Sequence, residues 1–276
     1  MKTKPQHSQN TVPKQTPMKQ IASPHNTQLK HLAKLGVSAK YRRQYRQTVL
    51  EGAHLLDALL QSGAQPQQVF IAQSRLHTPE TQSLLARLPS ENTAAVEDRL
   101  LAKASALSDG GGILSLVEIP ETAAPPQNGD CVVLERIQDP GNIGTILRSA
   151  AAAGVRQIIA GEGCADLWSP KVLRAAMGAH FLLRLHPASN LAVWRQTYRE
   201  PLFATALTAN STPLYRLNLR PPCAWLFGNE GGGLTAAARN TATRTVKIPM
   251  SGATESLNVA MAATVCLFEQ LRQRSE

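Results

Sequence analysis

Three short strings in the C-terminal half combine residue types that could do chemistry. The first is Gln138-Asp139-Pro140-Gly141-Asn142, with Arg148 further along the same segment. The second is Gly228-Asn229-Glu230-Gly231-Gly232-Gly233, and the third runs from Ile248 through Ser256-Leu257-Asn258. Glycine and small polar residues let backbone N–H and C=O groups approach a ligand closely. Asn, Ser and Glu add hydrogen-bonding side chains, and an arginine adds a planar, permanent cation. Each string follows an apolar run that reads as a strand and leads into a helix-like pattern. Three such loops converging on one place make a pocket, which in open α/β sheets lies at the carboxyl ends of the strands.

Taken singly, each loop has a plainer reading. Asn142 is placed to cap a helix carrying Ile143, Ile146, Leu147 and Ala150 inward, and Arg148, on another face of it, could make a surface ion pair. The second loop fits neither the dinucleotide-binding pattern nor the P-loop pattern. Its four glycines in six residues exceed what a plain turn needs and suggest backbone conformations that other residues avoid. In the third, Ser256 can cap a final helix that buries Leu257, Ala260, Met261, Val265 and Phe268, with Asn258 in its first turn.

The elements that must position these loops alternate. Strands are expected at Cys131–Leu134, Gln157–Ala160, Leu182–Leu185, Leu202–Ala206, Ala224–Phe227 and Arg244–Ile248. Helices are expected near Asn142–Ala153, Pro170–Met177, Leu191–Arg199, Leu234–Thr241 and Ser256–Arg272. That alternation predicts an α/β domain over residues 130–276 with a mostly parallel sheet covered on both faces. Residues 121–129, rich in Pro and Ala, read as a linker. Residues 25–120 read as a small α/β domain. It holds a basic helical stretch from Asn26 to about Tyr45, strands at Thr48–Leu50, Gln68–Ala72 and Gly112–Val117, and helices at Glu51–Ser62, Thr78–Arg87 and Arg99–Leu107. Residues 1–24, rich in Gln, Pro, Thr, Ser and Lys, read as a disordered basic tail.

Composition narrows the partners. The first fifty of the 276 residues hold ten Lys or Arg and no Asp or Glu, so the whole formal charge of +10 resides there. Such a block suits a polyanion, although a solvated tail that only aids solubility has the same composition. No apolar run reaches bilayer length and no secretory signal is evident, which predicts a cytoplasmic protein without a membrane partner. Cys131, Cys164, Cys223 and Cys266 are too widely spaced for a zinc site, so they read as reduced thiols, and no metal is expected.

Together the three strings resemble the TrmH/SpoU family of RNA ribose 2′-O-methyltransferases, within the SPOUT superfamily. Asn142 and Arg148 match its first motif, Gly228-Asn229-Glu230-Gly231 its second, and Ser256-Leu257-Asn258 its third. The resemblance implies a C-terminal domain with a trefoil knot, preceded by a ribosomal-protein-like substrate-binding domain. It implies a homodimer and S-adenosylmethionine as cofactor, contacted by Ala206, Leu207, Gly228, Ile248 and Leu257. It assigns catalysis to Arg148, Asn142, Glu230, Ser256 and Asn258. The substrate is expected to be structured RNA, ribosomal rather than transfer RNA. A transfer-RNA 2′-O-methyltransferase and a non-catalytic RNA-binding protein of the same fold are the alternatives.

Overall fold

The computed structural model describes residues 18–109, 111–252 and 256–275. Residues 1–17 of the expected tail lie outside these. In the N-terminal part the elements are β1 (Lys19–Ile21), α1 (Thr27–Val37), α2 (Ala39–Tyr45), β2 (Gln47–Glu51), α3 (Ala53–Gln61), β3 (Gln68–Ala72), α4 (Pro79–Leu85), β4 (Thr93–Val96), α5 (Asp98–Ala104) and β5 (Ile113–Glu118). Their five strands form a mixed sheet in the order β1-β4-β3-β5-β2. Two of these strands depart from expectation. Residues 19–21, placed in the disordered tail, pair in parallel with β4, because Ile21 buries its side chain and the short edge finds a ladder partner. The strand β4 itself, Thr-Ala-Ala-Val, is fully buried but too short and alanine-rich to show a pattern.

The basic helical stretch is two helices. Ser38 ends α1 in an extended conformation, and its Oγ accepts from Tyr41 N to start α2. Asn26 caps α1, whose Leu29, Leu32 and Leu35 face the sheet while its lysines stay in solvent.

The C-terminal part contains β6 (Cys131–Leu134), α6 (Pro140–Ala152), β7 (Gln157–Gly161), α7 (Pro170–Ala176), β8 (Arg184–Ser189), α8 (Leu191–Thr197), β9 (Leu202–Thr205), β10 (Thr212–Pro213), β11 (Ala224–Phe227), α9 (Ala236–Thr241), β12 (Arg244–Lys247) and α10 (Val259–Ser275). All its pairings are parallel, in the order β10-β12-β9-β11-β6-β7-β8. The strand expected at Leu182–Leu185 is shifted, since residues 179–182 form a 3₁₀ turn and β8 begins at Arg184. The chain runs outward from β6 on one side and then returns to fill the other. The reversal places a switch point between β6 and β11, where ligands of open α/β sheets settle.

The two parts are joined through a shared seam. Leu50, Leu55, Leu59 and Val117 belong to the same apolar cluster as Ile146, Trp168 and Leu173. Buried Arg42 reaches Asp166 at 2.6 Å, and Thr48 Oγ1 donates to Trp168 O at 2.7 Å. Beneath this seam His180 donates its Nε2 proton to Leu167 O at 2.7 Å and lies against the Trp168 ring.

The last helix corrects another expectation. Its buried face is Ala260, Ala263, Cys266, Leu267, Glu269, Gln270 and Gln273. The polar members are hydrogen-bonded: Gln270 Oε1 accepts from Trp225 Nε1 at 2.7 Å and Gln273 Oε1 from Leu219 N at 2.9 Å. Of the residues expected inside, only Ala260 is fully buried. Met261 is 49% exposed and Phe268 44%, because small and satisfied polar groups occupy the inward stripe instead.

Candidate active site

Both helix starts at the site lie elsewhere than the sequence suggests, and that shift frees a side chain. Asp139, not Asn142, caps α6: its Oδ1 accepts from Asn142 N at 2.7 Å, with Pro140 at the first helical position. Asn258, not Ser256, starts α10, its Oδ1 accepting from Ala260 N at 2.9 Å and Met261 N at 3.3 Å. The Asn142 amide is therefore available. Its Nδ2 donates to Glu230 Oε1 at 3.0 Å, and its Oδ1 accepts from Asn258 Nδ2 at 2.9 Å. One residue from each of the three strings thus meets in a single chain of hydrogen bonds.

The glycine loop is held by its own asparagine. Asn229 Oδ1 accepts from Gly231 N and Gly232 N, both at 3.0 Å, and its Nδ2 donates to Arg136 O at 2.9 Å. Only Gly233 of the four glycines has a positive φ, 63°. Gly228 answers a different need: a Cβ there would come within 2.6 Å of Gly233 C and Leu234 N. The loop folds back on its own start, so close approach explains Gly228 and a left-handed dihedral explains Gly233, while Gly231 and Gly232 meet neither constraint.

Between these loops lies a cavity of about 440 Å³ at the carboxyl ends of β9, β11 and β12, within the range of small-ligand pockets. Ala206, Leu207, Gly228, Ile248 and Leu257 line it, as do Glu230, Ser256 and Asn258. Asn142 stands behind Glu230 and Asn258 rather than on the wall. Arg148 is not on the wall either; it is exposed on α6 and makes no hydrogen bond or ion pair with any described residue. The wall also includes Thr205, Asn229, Lys247 and Met250, to which the sequence reading gave no role. Thr205 and Lys247 end the strands that precede the loops, and an Asn two residues before a Gly is the signature of a side-chain-closed turn; both signals were present in the sequence.

Electrostatically the cavity is mild. Partial burial pushes the Glu230 carboxyl up, but hydrogen bonds from Asn142 and from backbone N–H groups outweigh it and hold the group below its ordinary range. Glu230 is accordingly a carboxylate that accepts rather than donates. Apolar Leu207 and Leu257 stand 57% and 41% exposed at the rim, while main-chain groups, the Asn229 and Asn258 amides, Ser256 and the opposite charges of Glu230 and Lys247 supply the polar part. Such a wall suits a ligand with a flat apolar ring and a polar tail.

A parallel α/β domain with a ligand cavity at the carboxyl ends of its strands, fused to a small mixed-sheet domain, is the class that fold and site define. The comparisons give the family. Residues 130–268 match the SpoU rRNA Methylase family, and residues 26–115 match the MRM3-like substrate binding domain. An uncharacterised tRNA/rRNA methyltransferase of Synechocystis is 36% identical over 92% of this chain and 94% of its own. The 23S rRNA (guanosine(2553)-2′-O)-methyltransferase RlmP of Bacillus subtilis is 29% identical over 91% of this chain and 98% of its own. The AdoMet-bound crystal structure of an rRNA methyltransferase from Sinorhizobium meliloti superposes with a TM-score of 0.79, at 26% identity, covering 92% of this chain and 98% of that one. The chain belongs to the SpoU rRNA methylase family.

Proposed function

We propose that this protein methylates a ribose 2′-hydroxyl of structured RNA, with ribosomal RNA as the substrate. Family membership carries the methyltransferase activity, and the single structural observation that supports it is the junction of Asn142, Glu230 and Asn258 beside the 440 Å³ cavity. The preference for ribosomal over transfer RNA rests on the names of the relatives. Residues 25–120 act as the RNA substrate-binding domain, 121–129 as the linker and 130–276 as the methyltransferase domain, with the trefoil threading of the family.

S-adenosylmethionine, bound in the cavity, supplies an electrophilic methyl group on a sulfonium. Ala206, Leu207, Gly228, Ile248 and Leu257 hold it, mainly by main chain and apolar contact. Alignment of the acceptor oxygen with that methyl provides much of the rate. Glu230, kept ionised, fixes the glycine loop. Asn142 has one N–H and its oxygen committed, so its plane is set and it holds Glu230 and Asn258 in place at the cavity. Ser256 and Asn258 complete the polar edge. Arg148 grips an RNA phosphate and stabilises the negative charge growing on the 2′-oxygen.

The placement of Arg148 supports a homodimer. Arg148 is exposed one residue before Ser149, whose hydroxyl shares a 2.7 Å hydrogen bond with Thr264 of α10. The same helix leaves Met261 and Phe268 exposed, apolar surface fitted to a second copy. The test uses tritiated S-adenosylmethionine and ribosomal RNA. Arg148→Ala keeps donor affinity in calorimetry and loses about 10²–10³ in turnover, the scale for removing one charge-stabilising group. Wild-type turnover by that variant would overturn the assignment. A wild-type protein that fails to take up the donor would overturn the function.

A further inference from the structure

The N-terminal domain carries a second concave site, far from the three strings in sequence. A cavity of about 490 Å³ opens beside α1, lined by Lys30, His31, Lys34 and Tyr41, by Gln28 and Gln68, and by the buried ring of Phe70. His31, Tyr41 and Tyr45 form an aromatic cluster at its edge. Their ring centroids lie 5.3 Å (His31–Tyr41), 5.0 Å (His31–Tyr45) and 4.4 Å (Tyr41–Tyr45) apart. Lys34 Nζ stands 5.6 Å over the Tyr41 ring.

Two features separate this cluster from ordinary packing. Tyr45 is 46% exposed, so a ring face remains uncovered. His31 and Tyr41 are also held in orientation by polar bonds, and Tyr45 packs against both rings. His31 Nε2 donates to Gln47 Oε1 at 2.7 Å, since Gln47 Nε2 is turned to donate to Gln67 Oε1 at 2.5 Å. Its Nδ1 shares a hydrogen bond with the Tyr41 hydroxyl at 3.0 Å. The surroundings are cationic and only partly countered. Residues 18–50 contain no acidic residue. Arg42 pairs with Asp166, and Arg46 with Glu118 and Glu121. Lys30, Lys34, Lys40 and Arg43 have no carboxylate partner among the described residues.

Oriented rings, an amide-lined hollow and unpaired cations are the components of a site for single-stranded RNA: cations track phosphates, rings stack on a base face, and amides meet a base edge. Duplex RNA offers no unstacked base to such a cluster. Resting on the RNA-methylation reading above, we propose that this cavity docks an unpaired nucleobase of the substrate RNA, stacked on Tyr45 and Tyr41. The domain thereby selects a loop or bulge within a folded RNA rather than a helix.

The experiment uses the full chain, a single-stranded RNA octamer carrying 2-aminopurine, and the same sequence annealed into a duplex. Tyr45→Ala weakens octamer binding about tenfold and abolishes the fluorescence quench, Tyr45→Phe restores both, and duplex affinity stays within twofold of wild type. An octamer bearing 5-iodouridine crosslinks to Tyr41 or Tyr45 of the wild-type protein under ultraviolet light, which needs no variant. Octamer binding and quench unchanged in Tyr45→Ala, an equal loss for octamer and duplex, or crosslinks confined to other residues would overturn the proposal. Donor calorimetry on the wild-type protein separates the two readings: failure there removes methyl transfer and leaves the stacking result standing.

Discussion

The cavity at the ends of β9, β11 and β12 and the groove beside α1 are both concave, both polar, and assembled by opposite means. The first is made largely of backbone and neutral amides from segments far apart in sequence, with the Glu230 carboxylate tying them together and a single lysine, Lys247, on the wall. The second is made of side chains mostly from two consecutive helices, with cations and rings presented to solvent. A site that must hold one small molecule in a single pose needs rigid, pre-bonded groups. A site that must catch a long flexible polyanion needs charge and flat surfaces, and tolerates looser geometry.

Gly228→Val should widen that contrast most. The added side chain meets the backbone at 2.6 Å, so the loop cannot close. Donor affinity falls at least a hundredfold in calorimetry while RNA affinity by filter binding holds. Acidification acts next, on the seam between the two regions. Burial pushes the His180 imidazole down to about 4, from an ordinary 6.5. The unfolded chain takes up this proton below about 6.5 and the folded chain resists until about 4. The stability this histidine contributes is therefore complete above pH 6.5 and lost as pH falls through the window, about 3 kcal/mol in all. Urea midpoints measured between pH 7 and 4 should fall in the wild type and flatten in His180→Gln.

Asn142→Ala should cost about tenfold in kcat/KM for methyl transfer, the scale of one lost hydrogen bond to a charged partner plus the loop order it maintains. Methyl-transfer kinetics at saturating donor check it, with Glu230→Gln giving a similar loss and the double variant less than the product of both. The smallest effect belongs to the groove: replacing Lys30 and Lys34, which line it, by Gln lowers the log–log salt slope of RNA binding by about 1 to 2, with donor affinity unchanged.

Legibility followed the same divide. The glycine string and the spacing around Asn142 are rare patterns, so the sequence pointed at the cavity directly. The strands bearing it are short apolar runs between turn residues, and most were readable at the ends that matter. Helix starts were less legible, because Asp139, Asn142, Ser256 and Asn258 are all competent caps and only three-dimensional bonding selects among them. The inward face of α10 was unreadable for a different reason. Gln270 and Gln273 are buried against partners dozens of residues away, Trp225 and Leu219, and no local periodicity announces that. β4 escaped because alanine carries little hydrophobic signal. The charge of the first fifty residues was plain in composition, but the ring cluster within it appears only when Ser38 breaks the helix and folds Tyr41 and Tyr45 back onto His31.

Asn142 has a kinetic meaning as well. Its two partners lie 88 and 116 positions along the chain, so neither bond can form until the intervening strands have found their places. A half-folded chain possesses the three strings but not the hollow between them. Donor uptake during refolding should therefore arrive after secondary structure and mark the moment the whole domain is complete.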